Sequence, residues 1–144
     1  MMYVVLNGNL VKNAASVQSE TQIPAGALKV IASGTPAVDE VLVAGRPNIR
    51  DLCQMMLSGS SLVERPTLPD PTRIDNVVTL SGLPLGTLIE VIDVSGDEVM
   101  LETSADTDNW GDTITLTENG TYEIELLPPA PHLPLTFRFE VSGQ

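Results

Sequence analysis

Residues 76–142, NVVTLSGLPLGTLIEVIDVSGDEVMLETSADTDNWGDTITLTENGTYEIELLPPAPHLPLTFRFEVS, read as a ladder of short strands joined by tight turns. Tyr122, Ile124 and Leu126 fall on one side of a strand, Glu123 and Glu125 on the other. Phe137, Phe139 and Val141 alternate in the same way with Arg138 and Glu140. A period of two marks an antiparallel strand with one face buried. Turns are expected at Ser95-Gly96 and at Asn119-Gly120, the latter a tight hairpin turn with positive φ at the glycine. Six such strands predict a small antiparallel β-sandwich of immunoglobulin-like shape over residues 73–144.

Upstream of this ladder stands RPTLPDPT, residues 65–72, with three prolines in six residues. Proline removes a backbone donor and drives its predecessor towards extended conformations. The segment reads as a joint between two modules, because the character of the sequence changes across it; the alternative is a surface crossing within one domain. Residues 1–64 are less regular. YVVL and LVKNA flank Asn7-Gly8, a hairpin signal with positive φ expected at both turn positions. ALKVIAS and EVLVAG are further strand candidates. Ile49, Leu52, Cys53, Met56 and Leu57 then follow helical spacing with Asn48 placed to cap, which predicts a short helix near 48–57. The expected fold class is therefore mainly β: an N-terminal short-strand meander with one short helix, then the sandwich.

Nineteen acidic residues face seven basic ones, for a net charge of -12. This argues against nucleic acid or an anionic membrane as partner, since phosphate is held by clustered Lys and Arg. Only 3% of residues are aromatic, so Val, Leu and Ile must supply the core. The lone cysteine, Cys53, allows neither an internal disulfide nor a cysteine zinc site. No apolar run reaches the roughly 18 to 20 residues of a membrane span. The start, MMYVVLNGN, lacks the basic opening of a signal peptide, so synthesis in a host cytoplasm is expected.

Catalytic equipment is not legible. His132, the sole histidine, sits in PPAPHLP without a nucleophile or orienting partner in view. Cys53 lies on the apolar stripe of the expected helix and reads as a buried thiol. The loop SADTDNWGD offers Asp106, Asp108 and Asp112 as hard oxygen ligands, but the calcium-loop pattern fails at Trp110 and Thr117. A solvated acidic loop is preferred there, and no cofactor is expected. Trp110 reads either as a partner anchor or as a ring folded over the sandwich edge. Met55 and Met56 read as core filler or as a contact face for a neighbouring subunit.

The C-terminal half also resembles accessory domains of tailed-bacteriophage tail and baseplate proteins. The resemblance runs over residues 65–142 and rests on RPTLPDPT, then SGLPLGTLIEV with Gly82, Leu83 and Pro84, then GTYEIEL from Gly120, then PHLPLTFRFEV from Pro131. It implies a structural component of a virion at the tail tip, baseplate or tail fibre, present in several copies, with other virion proteins as partners and no catalysis. The first 64 residues would be the docking module. Rival readings are a capsid decoration protein and a bacterial surface- or carbohydrate-binding module; the latter normally carries a secretion signal and several exposed aromatics.

Overall fold

A computed structural model describes residues 1–45 and 47–143. Strands take 51% of the chain and helix 5%, so the protein is mainly β with one short α-helix. It divides into two compact units, Met1–Arg65 and Pro66–Gln144.

In the first unit six strands close into a barrel in the order β1-β2-β5-β6-β4-β3. They are β1 (Met2–Asn7), β2 (Leu10–Ser16), β3 (Leu28–Ile31), β4 (Glu40–Leu42), β5 (Met55–Ser58) and β6 (Ser61–Glu64). The expected meander is corrected here. The β1-β2 and β5-β6 hairpins join sequence neighbours, but β3 returns to pair with β1, and β4 runs parallel between β3 and β6. Strands of three or four residues make a poor open sheet, whereas closure leaves no unpaired edge and encloses a core. Val4, Val11, Ala14, Val41, Val43 and Leu62 form that core. The first hairpin turn has Gly8 and Asn9 as its central residues, because Asn7 pairs with Leu10. Positive φ is needed at Gly8 alone, at 60°, the pattern of a II′ turn.

The helix α1 spans only Ile49–Leu52. Asn48 caps it as expected: its side chain accepts from the Asp51 amide at 2.8 Å, and the Asp51 carboxylate accepts from the Asn48 amide. Helical spacing does not carry on to residue 57. From Met55 the period changes to two, with Met55 and Leu57 packed against the barrel core and Met56 on the outside. A short apolar run fits either period, and here pairing with β6 decides the outcome. Leu52, fully buried, anchors the helix.

The second unit holds seven strands: β7 (Thr72–Ile74), β8 (Val77–Leu83), β9 (Leu88–Asp93), β10 (Glu98–Ser104), β11 (Trp110–Thr115), β12 (Gly120–Leu127) and β13 (Leu135–Val141). They form a three-stranded sheet, β11-β8-β7, and a four-stranded sheet, β10-β9-β12-β13, antiparallel throughout. One core joins them. Val78, Leu80 and Leu83 come from β8, Ile89 and Val91 from β9, Tyr122, Ile124 and Leu126 from β12, Phe139 and Val141 from β13. Arg73 of β7 ties the sheets together at one side: its guanidinium lies 5.2 Å from the Phe139 ring centroid and donates to the Glu140 carbonyl.

Two expectations change in this unit. The proline-rich stretch is not a free joint, because Leu68 is buried in the core and the Leu133 amide donates to the Pro66 carbonyl. The boundary falls between Arg65 and Pro66. Asn119-Gly120 is not a hairpin turn either. Gly120 is the first residue of β12 and pairs with Val141, while β11 belongs to the other sheet. The glycines that geometry requires lie elsewhere. Gly82 has φ +67° with Pro69 against it, and Gly111 sits in a β-bulge opposite β8, where a Cβ would come 2.8 Å from the Leu80 carbonyl oxygen.

Candidate functional site

Charge is partitioned between the units. Residues 66–144 carry 14 acidic against two basic residues, net -12, while residues 1–65 carry five of each, net zero. The whole imbalance of the chain therefore belongs to the second unit, and any electrostatic steering acts through it.

The outer face of the four-stranded sheet concentrates part of that charge. Strand alternation places Glu90 and Ile92 of β9, Glu102 of β10 and Glu123 and Glu125 of β12 away from the core. Register then sets Glu102 opposite Glu90 and Glu90 opposite Glu125, a row of three carboxylates across three strands. Like charges directly opposite one another destabilise a sheet. Arg138, the base on this face, is registered with Glu123 in the next row. Apolar pairs flank the acidic row. On one side Leu88 stands opposite Leu127, 47% and 44% exposed; on the other Ile92 stands opposite Val99, itself 52% exposed. Met100, in a bulge of the edge strand β10, is exposed beside Val99.

The barrel has an apolar row of a different kind. Leu10, Met56 and Val63 are registered opposite one another across β2, β5 and β6 on its outside, with no charged member. Met56 is thus outward-facing. Met55 is not, because it turns inward against the core.

The remaining sequence candidates divide between the units. Cys53 is half-buried beside the barrel core, and His132 is half-buried in the loop that contains the cis Ala130-Pro131 peptide. Trp110 folds back, partly buried against the core of the second unit and registered with Leu83. Asp106, Asp108 and Asp112 are all exposed. Asp108 accepts from the Leu85 amide at 3.1 Å and so shapes the loop, while Asp112 accepts from the Thr113 amide at 2.8 Å within β11. Among the described residues no group of three ligand-type side chains is placed to hold a metal ion.

A shallow depression of about 530 Å³ in the first unit is lined by Glu20, Lys29, Asp39 and Glu40 together with Pro24 and Ala27. Lys29 donates to Glu20 there. That hydrogen bond is the main cause holding the Lys29 ammonium pKa above its ordinary value and the Glu20 carboxyl below its own. The ammonium is thereby kept protonated, the opposite of what a lysine nucleophile needs.

The acidic row and the Leu10–Met56–Val63 row escaped sequence reasoning. Each is assembled from strands whose register only the fold supplies. No family model, curated protein or solved structure matches this chain.

Proposed function

We propose that the chain is a structural component of a tailed-phage virion, at the tail tip, baseplate or tail fibre, and that it works by assembly with other virion proteins. The neutral barrel is the docking unit, and the acidic unit is an immunoglobulin-like sandwich carried by it. Support for the location comes from the resemblance over residues 65–142. The observation that carries the division of labour is the charge partition: a unit of net zero with the uncharged row Leu10–Met56–Val63 can pack closely, while a unit of net -12 repels its own copies.

Two features favour the immunoglobulin-like reading of the second unit. Its three- and four-stranded antiparallel sheets share one core, with β12 central in the larger sheet. Tyr122, near the start of β12 and 2% exposed, donates its hydroxyl to the Glu118 carbonyl at 2.8 Å. A tyrosine that bonds back to the backbone just upstream, at the corner between the sheets, is a recurrent device of such sandwiches.

Mass spectrometry of purified phage particles, with immunogold labelling of the chain, tests the proposal. It predicts several copies per particle with label on the tail. Label on the capsid would move the protein to a decoration role, and absence from particles would refute the reading.

A further inference from the structure

We infer that the outer face of β10-β9-β12 is a docking surface for a basic protein segment, one that presents Lys or Arg side chains flanked by apolar residues. The inference rests on the charge and exposure of this face and stands apart from the virion reading.

The Glu102–Glu90–Glu125 row costs stability within the fold, since each neighbour in it is a like charge. A facing row of cations reverses that sign. The flanks add a second requirement. Leu88 and Leu127 on one side, Val99 and Met100 on the other, leave apolar surface that a bare cation would not cover. A partner that satisfies both must place positive charge between apolar contacts at the spacing of a sheet face.

A second copy of this chain is a poor occupant. Each copy brings a unit of net -12 and the same acidic row, so two such faces repel each other. Nucleic acid is repelled for the same reason. Complementary charge therefore selects a basic polypeptide, whose approach the field of the whole unit accelerates.

The test uses the full chain, labelled with ¹⁵N, and two synthetic peptides as probes, one alternating Lys and Val and one alternating Glu and Val. The Lys–Val peptide is expected to shift the amides of Leu88–Ile92, Val99–Ser104 and Glu123–Leu127, and the Glu–Val peptide none. The triple variant Glu90→Gln, Glu102→Gln, Glu125→Gln should bind the Lys–Val peptide about tenfold more weakly. A control triple, Asp106→Asn, Asp112→Asn, Glu118→Gln, removes the same charge elsewhere on the unit and should lose less than about twofold. The double variant Val99→Thr, Met100→Thr keeps every charge and should still weaken binding about threefold or more. Equal losses in the two triples would reduce the effect to long-range attraction and overturn the inference. Shifts centred on another surface, or no binding, would do the same. Self-association along β10 in the free protein would name a second copy as the occupant and overturn it as well.

Discussion

Tyr122 serves both the fold and its pH response. Its ring is buried in the second core, 6.0 Å from the Phe139 centroid, and its hydroxyl holds the Glu118 carbonyl. Tyr122→Phe keeps the ring and loses the bond, and should destabilise the unit by about 1 kcal/mol in urea denaturation. An unchanged midpoint would mean that water replaces the hydroxyl without cost. Burial, with Asp93 and Glu118 nearby, raises the phenol pKa above its ordinary value. The unfolded chain therefore releases this proton first. The contribution of Tyr122 is complete below about pH 10 and is lost as pH rises through the higher folded value. Wild type should lose melting temperature more steeply than Tyr122→Phe above about pH 10, and parallel curves would contradict this.

Glycines show what single residues do and do not announce. Asn119-Gly120 had the sequence of a tight turn, yet Gly120 is an extended strand residue where a Cβ would meet only the Tyr122 ring at 3.6 Å. Gly111, in the bulge of β11, is the constrained one. Gly111→Val should cost more than about 2 kcal/mol, whereas Gly120→Ala should cost less than about 1 kcal/mol. Thermal melts of the two variants check the contrast; equal shifts would mean the bulge relaxes around the new side chain.

At the scale of elements, alternation made most of the second unit's strands readable. Within the ladder, TLIEVIDV, EVMLET, TYEIELL and LTFRFEVS hold β9, β10, β12 and β13. What alternation cannot supply is partnership. Nothing in ALKVIAS and EVLVAG signals that β3 and β4 run parallel, and β5 was hidden because MMLS continues the apolar spacing of α1. The acidic row is likewise a product of register, since Glu90, Glu102 and Glu125 are far apart in sequence. Glu90→Lys converts two repulsive neighbours into two attractive ones. It should raise the stability of the second unit by about 0.5 to 1 kcal/mol at low salt, with the gain shrinking at high salt. A destabilised variant would show that the row is already relieved within the fold.

At the scale of the molecule, the change of sequence character near the prolines marked two parts, but not where the chain is cut. Three prolines look like a linker, and burial of Leu68 makes them the lead-in to the second core. The fragment from Pro66 should therefore melt cooperatively. A fragment from Arg73, which lacks Leu68, should be less stable by about 2 kcal/mol or more. Equal melting temperatures would return residues 66–72 to the role of linker. Charge partition was also present in the sequence, but it has meaning only once the boundary is known.

The proposal that the neutral barrel docks and carries the acidic second unit can be tested in one measurement. Phage particles assembled in cells that supply either the full chain or the fragment from Pro66 are purified and analysed by mass spectrometry. The account predicts the full chain in the particles and the folded fragment missing from them. Incorporation of the fragment at the level of the full chain would assign docking to the second unit and contradict this division of roles.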